Sequence, residues 1–165
     1  MYSDILKDVL NSFDNKVVML MLIGPPGSGK SNLAKYISAN CVDYIRISPD
    51  DLREEILGNA ADQSNNQMIF AEAYRRIQAN LSIKHNVVFD ATNCRFFHRR
   101  KAIKSLKQYC DILIGVQMNT SLDKCIENNF NRERYVPEDV IRLMHRSLKD
   151  NPPKLSEGYD MLISI

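Results

Sequence analysis

An unbroken apolar run at residues 17–23 leads directly into Gly24-Pro25-Pro26-Gly27-Ser28-Gly29-Lys30-Ser31, which fits G-x-x-x-x-G-K-[ST]. This feature constrains the chain most, because the pattern works only where a strand enters a tight loop and the loop opens a helix. Glycine lets the backbone curl so that successive N–H groups converge on phosphate oxygens, with no Cβ in the way. Lys30 brings a cation to the β- and γ-phosphates of a nucleotide, and Ser31 brings a hydroxyl to Mg²⁺. The segment from Asn32 through Ile37 reads as the helix whose N-terminal dipole favours the anion. A chance glycine-rich turn would lack these flanks. Gly24, Pro25, Pro26, Gly27, Ser28, Gly29, Lys30, Ser31 and Asn32 are therefore the candidate nucleotide-binding residues.

The rest of the chain alternates. Short β-rich runs at residues 17–23, 44–47, 86–90, 112–117 and 161–165 are separated by helix-period segments at 31–39, 50–57, 63–84, 95–109, 122–130 and 138–148. Such alternation predicts right-handed crossovers and a parallel sheet covered on both faces, an α/β fold. Ligands of such sheets bind at the carboxyl ends of the strands, so function is expected just after Ile23, Ile47, Asp90 and Gln117. Ahead of the first strand, Ile5, Leu6, Val9, Leu10 and Phe13 follow a 3-and-4 spacing that predicts an extra amphipathic helix. No repeat, low-complexity tract or linker divides the 165 residues, which predicts one domain over 1–165. Within it, 1–15 is the N-terminal helix, 17–165 the core, and about 128–137 a lid.

Composition excludes some classes. Charged residues at 25% and hydrophobic residues at 44% are ordinary for a globular protein. A net charge of +2 argues neither for nor against nucleic acid, since a local groove can be basic on a near-neutral surface. The N-terminus carries acids without an apolar core of signal-peptide type, and no apolar run approaches a membrane span. Cys41, Cys94, Cys110 and Cys125 lack C-x-x-C spacing, and the histidines form no H-E-x-x-H. A cytoplasmic protein with reduced, mostly buried thiols is expected.

Three further constellations follow, two at predicted strand ends and one between two predicted helices. In Ser48-Pro49-Asp50-Asp51-Leu52-Arg53, Ser48 reads as an N-cap, Pro49 as the first helical residue and Asp51 as the acid of a capping box. That structural account leaves Arg53 unexplained, because a cation in the first turn opposes the helix dipole. A phosphotransferase accounts for it: Asp50 and Arg53 share a helix face, one to orient and deprotonate an acceptor hydroxyl, the other to steady phosphate charge. Val87-Val88-Phe89-Asp90-Ala91-Thr92-Asn93 has the form of a strand ending in a Walker B acid, with Asn93 also placed to cap the next helix. That helix carries Arg95, His98, Arg99, Arg100, Lys101, Lys104 and Lys107, either a solvated face or a track for substrate phosphates. Finally, the stretch from Asn128 to Pro137 includes Arg132 and Arg134 and is closed by Pro137 at a predicted N1 position. It is either a surface loop or a lid that brings arginines over a transferred phosphoryl group.

Together these pieces resemble the kinase domain of phage-type polynucleotide kinases, within the wider P-loop kinase family marked by D-A-T-N (AAA_33-like). The resemblance runs from Val17 to the C-terminus. Beyond the loop it is carried by Asp50-Asp51-Leu52-Arg53, Asp90-Ala91-Thr92-Asn93 with Arg99-Arg100, Val136-Pro137-Glu138 and Glu157-Gly158-Tyr159-Asp160. It implies an adenylate-kinase-like fold: a five-stranded parallel sheet between helices, with a short helical lid. It also implies Asp50 as general base, Arg53 on the acceptor's neighbouring phosphate, and Asp90 beside acceptor and metal, with Thr92 and Asn93 in the acceptor site. Lys30 and Ser31 keep the roles derived above, and Arg132 becomes the lid arginine over the ATP phosphates. Two departures stand out. Glu127 precedes Asn128 where the family has Arg, and a one-residue shift in the lid leaves Arg132 and Arg134 competing for one role. No D-x-D-x-T of a phosphatase domain follows.

Three functions follow. The first is an ATP-dependent kinase using Mg²⁺ and phosphorylating the 5′-hydroxyl end of DNA or RNA. The second is a kinase of the same fold acting on a nucleoside, sugar or antibiotic, or on a hydroxymethylated base in DNA. The third is a nucleotide-binding switch without transfer, against which Asp50 and Arg53 argue. GTP could replace ATP in each. Arg75 and Arg76, in the helix at 63–84, either line the acceptor site or sit on a solvated face.

Overall fold

The computed structural model describes residues 2–132 and 134–165. Five strands form one parallel sheet: β1 (Val18–Ile23), β2 (Tyr44–Ile47), β3 (Asn86–Phe89), β4 (Ile112–Gln117) and β5 (Met161–Ser164), in the order β2-β3-β1-β4-β5. β1 lies at the centre because all six of its residues are apolar, and it is buried throughout. The pleat sends Met19, Met21 and Ile23 to one face and Val18, Leu20 and Leu22 to the other.

The first face is covered by helices α4 (Asn66–Ser82) and α5 (Phe96–Leu106), through Ile69, Ala73, Ile77 and Leu81 and through Ala102, Ile103 and Leu106. The second is covered by α1 (Tyr2–Asn11) and α2 (Lys30–Asn40), through Leu6 and Leu10 and through Leu33, Ala34 and Ile37. Each fully buried Leu, Ile or Met contributes about 1.5–3 kcal/mol, so the two layers hold the sheet ends firmly in place. The extra N-terminal helix is present but ends at Asn11, short of the expected residue 15, which leaves Phe13 beyond it; the side chain of Ile5 lies outside the described residues. Helices α3 (Pro49–Leu57), α6 (Leu122–Phe130) and α7 (Glu138–Asp150) complete the fold. No helix among the described residues is long and apolar enough to cross a membrane.

Several sequence expectations are corrected. The segment at 63–84 becomes helical only at Asn66, because Asp62 and Gln63 side chains engage Ser64 N–H and the Asn66 amide ahead of it. The segment at 95–109 divides into α5 and a single 3₁₀ turn over Lys107–Tyr109. Pro137 stands at the N-cap with extended ψ, one position before the N1 site predicted for it. Asn93 caps no helix: Arg95 occupies the N-cap of α5 and provides no side-chain cap.

Candidate active site

The loop after β1 has the shape its glycines predict. Gly27 and Gly29 adopt φ of 81° and 95°, and a Cβ on Gly27 would stand 2.1 Å from the Cys125 carbonyl oxygen. The loop is braced from behind by residues that the sequence motif does not include. The Thr120 hydroxyl donates to the Ser28 carbonyl at 2.9 Å, and the Asn128 amide donates to the Gly27 carbonyl at 2.8 Å. From the other side, Gly24 N–H donates to the Thr92 carbonyl at 2.9 Å, which laces this loop to the Asp90–Asn93 turn. Lys30 is buried and donates from Nζ to the Pro25 carbonyl at 2.7 Å and to Ser28 Oγ at 3.2 Å. Burial lowers its pKa; Cys94 and Asp90 oppose that shift and Arg132 adds to it. Pro25 and Pro26 are buried, while Asn32 faces solvent on the first turn of α2.

Asp90 follows the carboxyl end of β3 and meets the loop. The Ser31 hydroxyl donates to its Oδ1 at 3.4 Å, while Arg46 donates from Nε to Oδ2 at 2.8 Å. Arg46 also pairs with Asp51, so one guanidinium bridges the ends of β2 and β3. Burial works to lower the Arg46 pKa, yet Asp90 and then Asp51 hold it above its ordinary value. Asp51 thereby makes only half of the expected capping box. Its N–H donates to Ser48 Oγ at 3.4 Å, but its carboxylate turns to Arg46. Sequence reasoning missed Arg46. The available signal was a cation inside the apolar strand Tyr44–Ile47, in register with Val88 and so two residues short of Asp90 on the same face.

At the start of α3, Asp50 and Arg53 meet as predicted, with Arg53 donating to Asp50 Oδ1 at 2.6 Å. Arg53 is buried and also donates to Asn66 Oδ1 at 2.7 Å, which ties α3 to the head of α4. Burial lowers its pKa, with Asp50 opposing and Arg134 assisting. Arg134 pairs with the second oxygen of Asp50, across from the segment between α6 and α7. That segment is anchored by the buried Asn129, whose amide donates to the Val136 carbonyl at 2.8 Å and whose oxygen accepts from Val136 N–H at 3.0 Å. The two candidate lid arginines are thus separated: Arg134 reaches Asp50, and the exposed Arg132 acts electrostatically on Lys30. Glu133 lies outside the described residues.

Other predicted residues do not join this cluster. The Asn93 side chain is buried and donates to the Leu22 carbonyl at 2.8 Å, from a backbone with φ of 49°. Thr92 is half-buried and meets the loop through its backbone, its carbonyl accepting from Gly24 N–H. Arg99 is not on a solvated face at all. It is fully buried and bidentate to Glu157, at 2.8 and 2.9 Å, and also donates to the carbonyls of Cys94 and Asn151. Arg75 and Arg76 are committed to Glu72, and Arg76 also to Glu55, forming an ion-pair network between α3 and α4. The four cysteines are free, and no cluster of metal-ligating His, Cys, Asp or Glu occurs among the described residues.

A phosphate-cradling loop at the central strand of a β2-β3-β1-β4-β5 parallel sheet, facing an acid at the end of β3 and an Asp–Arg pair at the end of β2, defines a P-loop kinase. The sequence profile of one family agrees: the chain belongs to the AAA domain family AAA_33, matched over residues 19–151. Solved structures share the fold. A chain of the Pnkp1/Rnl/Hen1 RNA repair complex superposes with a TM-score of 0.76 at 21% identity, over 85% of this chain and 46% of that one. Kti12 from Chaetomium thermophilum, solved in complex with ADP-AlF3, gives 0.66 at 16% identity, over 89% and 88%. Shikimate kinase from Acinetobacter baumannii, in complex with shikimate, gives 0.59 at 15% identity, over 94% and 87%. The present chain spans less than half the length of the RNA repair chain that it matches.

Proposed function

We propose that this P-loop kinase transfers the γ-phosphate of ATP to the 5′-hydroxyl end of a polynucleotide. The observation that carries the reading is Asp50, held between Arg53 and Arg134 at the sheet edge that also presents Lys30, Ser31 and Asp90. Each carboxylate oxygen has two lone-pair directions, so Asp50 can hold both arginines and still accept from an acceptor hydroxyl. In the transfer, the acceptor oxygen bonds to the γ-phosphorus, its proton passes to Asp50, and the bond to the bridging oxygen of the leaving ADP breaks.

Lys30 and Arg132 face the donor phosphates in this reading, with Gly24 to Asn32 as their cradle. Arg53 and Arg134 face an anionic group next to the acceptor hydroxyl, which is what a nucleotide end provides. Two arginines converging on the acceptor side are more than a neutral sugar or nucleoside needs. Thr92 and Asn93 act by shaping the turn behind Asp90. The hydroxyl of Ser31 and the carboxylate of Asp90 are the hard oxygen donors that suit Mg²⁺, which when bound neutralises phosphate charge.

Asp50→Ala is expected to lower transfer by about 10²–10⁴-fold while nucleotide binding stays near wild type. Radiolabelled ATP with a panel of 5′-hydroxyl oligonucleotides, nucleosides and sugars measures both the loss and the acceptor class. Labelling of a small molecule without any oligonucleotide would instead favour a metabolite kinase, a reading supported by the near-complete overlap with shikimate kinase.

A further inference from the structure

Helix α5 has two unlike faces. Arg99, Ala102, Ile103 and Leu106 are buried, whereas Phe96, Phe97, Arg100, Lys101 and Lys104 are exposed. At helical spacing the exposed set forms two adjacent columns, Phe96-Arg100-Lys104 and Phe97-Lys101. Phe97 is 72% exposed and Phe96 43%, with the Arg100 guanidinium 5.6 Å from the Phe96 ring centroid. Beside them run two adjoining hollows of about 410 and 470 Å³, both lined by Phe96, Arg100 and Glu157, the first reaching Lys154.

The charge on this face is not offset. Elsewhere Arg75, Arg76, Lys124 and Arg142 each pair with a carboxylate, but among the described residues Arg100, Lys101 and Lys104 do not. Glu157, the acid at the edge of the groove, is turned inward and neutralised by Arg99, with 2% of its side chain exposed. Unpaired cations interleaved with exposed rings suit a polyanion that carries π-faces, rather than an apolar protein helix that would have to bury those cations. The helix also springs from the turn that follows Asp90, where the acceptor end would sit.

We infer that this face is a track for single-stranded nucleic acid, with Phe97 as a base-stacking platform and Arg100, Lys101 and Lys104 as phosphate contacts. The inference rests on the polynucleotide reading above and extends it to the strand beyond the reacting end. It makes the enzyme prefer long acceptors over short ones.

The test compares the 165-residue chain with Phe97→Ala and with Lys101→Glu/Lys104→Glu. The 5′-hydroxyl acceptors are DNA or RNA, either a dinucleotide or a strand of about twelve nucleotides, within the span of known single-strand sites. For the long acceptor each variant should raise KM by about tenfold, with kcat and the dinucleotide KM unchanged. The charge variant should also flatten the dependence of log K on log salt by about 0.7 per lost phosphate contact, read by fluorescence anisotropy. The more strongly affected strand identifies DNA or RNA. An unchanged KM for the long acceptor in both variants, with the parent active, overturns the track and leaves the acceptor assignment intact. A parent that labels neither acceptor overturns the 5′-hydroxyl assignment, and anisotropy then decides the surface. Strand binding that Phe97→Ala weakens upholds the track, and no binding by the parent overturns it. A dimer in sedimentation that Phe97→Ala abolishes also overturns it, assigning the face to a second copy.

Discussion

Arg46 shows how much one unpredicted side chain can carry. Its guanidinium bonds Asp90 and Asp51 together, and the side chain of Asp90 is only 2% exposed. A buried carboxylate stripped of its cation is costly, so Arg46→Met is expected to destabilise the fold by about 3 kcal/mol in urea unfolding. Adding Asp90→Asn should recover most of that loss, because the charge requiring compensation is gone. An additive double variant would show that Arg46 stabilises by packing instead. The same scale explains why Asp50 and Arg53 were legible while Arg46 was not. Three residues along a helix fix a shared face, whereas a contact between strands depends on register, which no local pattern supplies.

Among elements, the ties between α3 and α4 set the shape of the proposed acceptor side. Arg53 joins the two helices through Asn66, and Arg76 joins them through Glu55 while also holding Glu72. Hydrogen bonds from Arg75, then Arg76, pull the Glu72 pKa down from its ordinary 4.5 to about 2. A carboxylate depressed in the folded state stabilises it above the unfolded pKa and loses that effect as pH falls through the folded one. The stability difference between wild type and Glu72→Gln should therefore be full near neutrality and shrink between pH 4.5 and about 2. Denaturant titrations across that range check it; a constant difference would mean that the network contributes nothing. These arginines lay in a helix whose existence was plain from periodicity. Their partners were not, since a cation facing a substrate and one facing Glu72 look alike in sequence.

For the molecule as a whole, the buried pair of Arg99 and Glu157 fastens the C-terminal segment to α5, just ahead of β5. Both side chains are almost wholly buried, so Glu157→Ala should cost about 3–5 kcal/mol. For a chain of this size that corresponds to a fall in Tm of roughly 6–20 °C in calorimetry. A fall within a degree or two would show that the edge strand is held by its ladder alone. The sequence by itself determined the phosphate loop, the five strands and their parallel class, and the Asp50–Arg53 pair, because strand alternation, helical periodicity and glycine conformations are local physics. Only the tertiary structure decided which charged residues meet at the candidate site and which are tied up in ion pairs elsewhere. It buried Arg99, placed Arg46 between two acids, and sent Arg134 to Asp50. The physical reason is that a charge takes its role from its partner and its distance from water, and both are set by chain segments far apart in sequence.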